Sequence, residues 1–183
     1  GIDIHTDAKD FFYANEFDRK KFCKISTIIK FLNRFGPDEF EKFLDIIVFD
    51  ALVGETDRHE ENWGLSKING KYTLSPLYDS SCNLLREFRD LSKAQPYYNK
   101  EKNLEDFARK SKTCIYKENL EGKYKHFELI EYLYERYPKI IKEKILNIKR
   151  LNRFKLRRII KRLPNGIITE EHKEYIYKYV NIR

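Results

Sequence analysis

The sequence predicts a mainly α domain with one small β-hairpin. Three observations predict it: apolar residues at helical spacing from Lys20 to Val53, a strand-like pattern around Asn69-Gly70, and helical spacing again from Asn103 onward. With 183 residues, 41% hydrophobic and 15% aromatic, the chain fits one domain, 1–183, and can bury a substantial core.

Taken in order, the first 53 residues read mainly as helices. In Lys20 to Phe35 the positions Phe22, Ile25, Ile29 and Leu32 share one face, flanked by Ile28, Phe31 and Phe35. Gly36-Pro37 ends that helix and opens the next, where Asp38 and Glu39 favour the N-terminal dipole. Phe40, Phe43, Leu44, Ile47, Val48, Ala51 and Leu52 continue the apolar stripe to Val53. Ile46, Phe49 and Val53 widen it, and Gly54 is a stop. Trp63 to Ile68 and Lys71 to Leu77 then flank Asn69-Gly70, a pair that favours a two-residue hairpin turn. Later, Phe127 to Tyr137 is predicted as a helix that stops before Pro138, and Lys139 to Leu163 as one that stops before Pro164. A last helix starts after Thr169, an N-cap with Glu170 and Glu171 in its first turn.

Composition narrows the function classes. No apolar run approaches the ~18 residues that span a bilayer, so no membrane is expected. Cys23, Cys82 and Cys114 are odd in number and scattered, which reads as reduced thiols in a cytoplasmic protein. Lys plus Arg is 37 against 29 acidic residues, a net +8 that favours encounter with nucleotides, nucleic acid or other acidic partners. The chain opens on Gly1 and contains no Met, as expected of a piece processed from something longer.

The stretch between buried helix and hairpin carries the chemistry. Asp57, Arg58, His59, Glu60, Glu61 and Asn62 crowd one loop, 55–63. Asp57 and Asn62 have the D-x-x-x-x-N spacing of phosphoryl-transfer sites, and Asp79 follows across the hairpin 63–77 in a second motif, 77–81. A catalytic-loop Asp takes or orients the proton of the attacking hydroxyl. The Asn binds magnesium, and the second Asp holds the metal on the phosphates. A capped helix end followed by a polar connector is the plain structural alternative, but it does not require all three residues.

The segment GETDRHEENWGLSKINGKYTLSPLYDSSCNLLRE resembles the catalytic segment of HipA-like serine/threonine kinases, with their T-D-x-H-x-x-N loop and L-x-P-x-Y-D metal motif. The detailed likeness covers residues 50 to 87. It implies a protein-kinase-like helical C-lobe that uses ATP and Mg2+ to phosphorylate Ser or Thr of a protein substrate. It implies Asp57 as catalytic base, with His59, Glu60, Glu61, Asn62, Tyr78 and Asp79 at the nucleotide, and Asn62 and Asp79 as metal ligands. Arg58 fills a variable position and receives no catalytic role, and Thr56 shapes the loop. His59 either touches the transferring phosphate or braces the loop through a backbone hydrogen bond. The resemblance also brings toxin–antitoxin pairs, and hence an antitoxin partner, into view. D-R-H-x-x-N is shared with lipid kinases, but those carry Asp-Phe-Gly where Ser80 and Ser81 follow Asp79 here.

A phosphate-covering loop is missing from the sequence. None of the seven glycines forms G-x-G-x-x-G, and the 56 residues before Asp57 read as helices. The expectation is a C-lobe whose N-lobe lies elsewhere in a longer protein or in a separate partner, with weak or no nucleotide binding and little or no activity alone. A kinase-derived, inactive binding module is the alternative. It would use a basic helix, 149–162, in which Arg150, Arg153, Arg157 and Lys161 make a patch for DNA or an acidic partner, unless they form a merely solvated face.

Overall fold

A computed structural model describes residues 4–11, 18–86, 96–97, 100–166 and 168–183. Gly1 and Glu87 lie outside the described residues. The mainly helical fold holds, and the described part adds strands to the hairpin. β1 (Ile4–Asp7) leads through a 3-10 turn (Ala8–Phe11) to α1 (Arg19–Phe22), α2 (Ile25–Leu32) and the long α3 (Pro37–Val53). β2 (Gly64–Ile68) and β3 (Lys71–Leu74) form the predicted hairpin, followed by α4 (Glu101–Lys110), β4 (Lys112–Tyr116) and β5 (Lys123–Lys125). The chain continues through α5 (His126–Arg136), α6 (Pro138–Lys149), α7 (Arg153–Lys161) and α8 (Glu170–Ile182).

Pro37 opens α3 as expected, and Gly54 closes it in the left-handed conformation, φ 72°, donating its N–H to the Asp50 carbonyl. A Cβ there would collide with the Tyr179 hydroxyl, so packing as well as backbone requires glycine. Asn69 and Gly70 both take positive φ, 50° and 78°, as a type I′ turn demands. Glu39, in the first turn of α3, accepts the Leu74 N–H at 2.6 Å and so pins the end of β3 to the helix.

Trp63 organises the main core. Its ring lies 4.7 Å from Phe43 of α3 and 6.3 Å from both Phe22 and Phe31, centroid to centroid. Leu44, Leu65, Leu129, Leu133 and Ile141 complete this core with no exposed surface. Because Trp63 follows Asn62 directly, burying its ring fixes the exit of the polar loop. Losing such a ring typically costs about 3–5 kcal/mol.

Four local expectations are corrected. Residues 4–7 form a strand, not helix, pairing antiparallel with β2 from Ile4↔Lys67 to Asp7↔Gly64, which makes the hairpin a three-stranded sheet in the order β1-β2-β3. Lys112–Tyr116 and Lys123–Lys125 form a second, two-stranded sheet where helix was expected. The segment 139–163 is two helices: it breaks at Arg150–Asn152, and the Asn152 side chain caps α7 by accepting the Lys155 N–H at 2.9 Å. The 20–35 segment likewise divides at Cys23–Lys24. Thr169 caps α8 as predicted, accepting the His172 N–H. Among the described residues no helix is long and apolar enough to cross a membrane.

Candidate active site

The loop after α3 is held from its own backbone outward. Glu55 is 1% exposed, and its carboxylate accepts the Asp57 N–H at 2.9 Å and the Asn83 side-chain amide at 3.0 Å. The Asp57 carbonyl in turn accepts the Asn62 side-chain N–H at 2.7 Å and the His59 N–H at 2.8 Å. That contact orients the buried Asn62 amide with its nitrogen toward the Asp57 backbone. The Asp57 carboxylate itself is half-buried, with His59 Nε2 3.8 Å from one oxygen and the Cys82 thiol donating to the other at 3.7 Å.

Arg58 joins this loop to the second motif. Buried, it donates from Nε and Nη2 to the two oxygens of Asp50, each at 3.1 Å. Its Nη1 donates to the carbonyls of Asn62 at 2.9 Å and Tyr78 at 2.8 Å, and Nη2 also donates to Ser80 Oγ at 2.7 Å. One planar guanidinium therefore links α3, the loop and the segment carrying Asp79. Burial pushes the Asp50 carboxyl up to about 6, although the Arg58 guanidinium pulls against that rise. Farther along, Thr56 N–H donates to the Cys82 carbonyl and Leu84 N–H to the Val53 carbonyl, so the chain after Asp79 runs back beside the loop.

Of the residues expected at the site, Asp57, His59 and Asn62 lie together. Asn62 Nδ2 is 3.3 Å from His59 Nε2, and His59 Nδ1 accepts the Glu61 N–H at 3.2 Å. That second contact is the loop brace considered for His59. Asp79 is exposed and takes a left-handed backbone, φ 45°, a strained geometry of the kind that clusters at functional sites. The Tyr78 hydroxyl turns to β1 and donates to Asp7 at 2.8 Å; burial first, then Asp7, keeps this phenol protonated well above its ordinary range. Glu60 is buried and accepts from the Cys23 thiol at 3.5 Å, while Glu61 pairs with Lys9 at 2.6 Å. Arg153, Arg157 and Lys161 sit exposed on α7, where Arg157 pairs with Glu174 at 3.2 Å. Arg150 lies in the break before α7 and so leaves the helical face expected to join it to Arg153 and Arg157.

Sequence reasoning passed over Asp50, Glu55 and the buried role of Arg58. The available indication was polarity out of place: Asp50 interrupts the apolar end of α3, eight residues before an arginine. Among the described residues no three His, Cys, Asp or Glu side chains cluster as a metal site. Magnesium does not need such a cluster, since one carboxylate, one carbonyl oxygen and the phosphates of a nucleotide suffice. Asn62 and Asp79 fit that donor set.

The family model of the HipA-like C-terminal domain matches residues 4–142, which include the loop, the hairpin and the second motif. No curated protein matches the chain. Among solved structures, the crystal structure of the Helicobacter pylori proinflammatory kinase CtkA is similar, with a TM-score of 0.78 and 21% sequence identity. The alignment covers 97% of this chain and 66% of that one, and at this identity the likeness is one of fold.

Proposed function

The chain belongs to the HipA-like C-terminal domain family, and we propose from that premise that it is the catalytic lobe of a kinase moving the γ-phosphoryl group of ATP to a protein Ser or Thr. The observation that carries this reading is the hydrogen bond from the Asn62 amide to the Asp57 carbonyl, which couples a metal-binding oxygen to the base in one rigid loop. In this reading Asp57 accepts the proton of the acceptor hydroxyl as its oxygen attacks phosphorus and ADP departs. Asn62 and Asp79 would hold magnesium, which would neutralise charge on the phosphates. Arg58 keeps those two ligands in register through the Asn62 and Tyr78 carbonyls, and Tyr78 anchors the second motif on Asp7. The phosphate cover and strand lysine that transfer also requires come from a second lobe, in the same protein or in a partner. Cysteines outside any disulfide among the described residues fit a cytoplasmic setting.

Transfer of labelled phosphate from ATP by the full-length protein tests the proposal. It should vanish in Asp57→Asn and on chelation of magnesium; transfer that survives both would overturn it.

A second reading concerns α7. Phe154 is 87% exposed among basic residues, and positions 149–162 contain no acid. Such a surface suits nucleic acid or an acidic protein, independently of catalysis. Nucleic-acid binding through it should weaken steeply as salt rises and be lost with Phe154→Ala and Arg158→Gln. No measurable binding at low salt would leave the helix a solvated face.

A further inference from the structure

Beside Asp57 the chain encloses a cleft of about 220 Å³. Asp57, His59 and Glu60 line it from the loop, Cys114 and Tyr116 from β4, and Lys123 from β5. Neither Asn62 nor Asp79 borders it. The cleft therefore borders Asp57 without bordering the proposed metal ligands, and an acceptor residue seated there would lie against the proposed base. Its volume is below the roughly 300–1,000 Å³ of pockets that enclose a whole small ligand, so it suits a side chain or two of a larger molecule.

Lys123 is the unusual wall. It is half-buried, its Nζ donates to the Cys114 thiol at 3.8 Å, and it stands 5.8 Å over the Tyr116 ring. It forms no ion pair among the described residues. A thiol is a weak acceptor, so the ammonium group keeps donor capacity for an incoming anion. The Asp57 and Glu60 carboxylates across the cleft repel such an anion unless it sits on the Lys123 side, which gives the site polarity as well as charge.

We propose that Lys123 is a specificity residue that holds an acidic side chain flanking the Ser or Thr of the acceptor protein. This rests on the kinase reading, with Asp57 as base. The same ammonium could instead meet the γ-phosphoryl group, and the two sources of anionic oxygen separate in kinetics.

The probes are Ser-centred decapeptides carrying Glu, Gln or Lys at each flanking position, used with the full-length protein, Lys123→Gln and Lys123→Glu. Binding is read by fluorescence anisotropy without nucleotide, and transfer as kcat/KM with ATP and magnesium. Wild type should prefer Glu over Gln peptides roughly tenfold in both readouts, the scale of one charge-assisted hydrogen bond. Lys123→Gln should erase that preference without changing KM for ATP or the thermal midpoint, and Lys123→Glu should turn it toward Lys peptides. Wild type indifferent to the flanking charge, or a Glu preference surviving in Lys123→Gln, would overturn the proposal. So would a raised KM for ATP with peptide preference intact, which would move Lys123 to the nucleotide. A charge preference in binding that follows Lys123, with no transfer by wild type, would uphold the acidic-ligand site and sink the kinase reading.

Discussion

Replacing Arg58 by Met should separate stability from catalysis. The guanidinium makes five hydrogen bonds, two to the buried Asp50 carboxylate and three to Asn62, Tyr78 and Ser80. Removing it strands a buried carboxylate, and breaking such a pair costs about 3–5 kcal/mol. In a chain of this length that corresponds to a fall in Tm of roughly 6–20 °C. Adding Asp50→Val removes the stranded charge and should restore most of this loss, because apolar replacements of buried ion pairs are often neutral. The Asn62 and Tyr78 carbonyls still lose their donor, leaving a deficit of about 1–3 kcal/mol. Catalysis should not recover with stability. With loop and second motif no longer tied, a shift of about 1 Å between Asn62 and Asp79 would slow transfer on the order of 10²-fold. Urea unfolding and phosphate transfer, measured on wild type and both variants, decide it. A single variant within about 1 kcal/mol of wild type would refute the brace. A double variant with the wild-type transfer rate would refute its positioning role.

Asp57→Asn should lower transfer by about 10²–10⁴-fold with little change in Tm, since the carboxylate is only half-buried; a large loss of stability would mean a structural role instead. Gly54→Ala should cost at least about 1–2 kcal/mol in urea unfolding, from the left-handed backbone plus collision with Tyr179, and an unchanged midpoint would contradict that geometry. Burial, with the Arg183 charge second, lowers His126 from 6.5 to about 3, so the unfolded chain takes up this proton first and stability is lost as pH falls below 6.5 toward 3. Asp50 works the other way: its folded value of about 6 lies above 3.8, so it adds stability as pH falls from 6 to 4. His126→Gln should therefore remove an acid-destabilising slope of about 1.4 kcal/mol per pH unit, seen in urea unfolding between pH 4 and 6; the same slope in both proteins would count against a buried neutral imidazole.

Elements whose pattern is local were legible before the structure. The stripe and Pro37–Gly54 punctuation of α3, the Asn69-Gly70 turn and the Thr169 cap all act within a few residues of themselves. β1 was not legible, because four residues with one large apolar side chain become a strand only when β2 offers its edge. Lys112–Tyr116 carried a strand pattern in Thr113, Ile115 and Tyr116, but the helical periodicity on both sides masked it. The division at Arg150–Asn152 turned on one asparagine acting as a cap inside an otherwise continuous apolar pattern. At the candidate site, spacing pointed to Asp57, Asn62 and Asp79, since such chemistry depends on sequence intervals. The partners that hold them, Asp50, Glu55 and Arg58, meet through folded geometry, which spacing does not encode.

The pairing of β1 with β2 has a consequence for how the molecule assembles. Ala8 N–H donates to the Trp63 carbonyl and Lys9 N–H to the Glu60 carbonyl, so the first described residues seat the exit of the polar loop. During synthesis that segment emerges before residues 60–67 and must wait for them. Closing so long a loop spends chain entropy before any contact returns it, which favours late formation. The helices can then gather around Trp63 first, and the loop reaches its working shape as one of the last events of folding. A chain arrested before that step would keep its helices without a set polar loop, so on the kinase reading phosphate transfer would gauge complete folding more strictly than helix content.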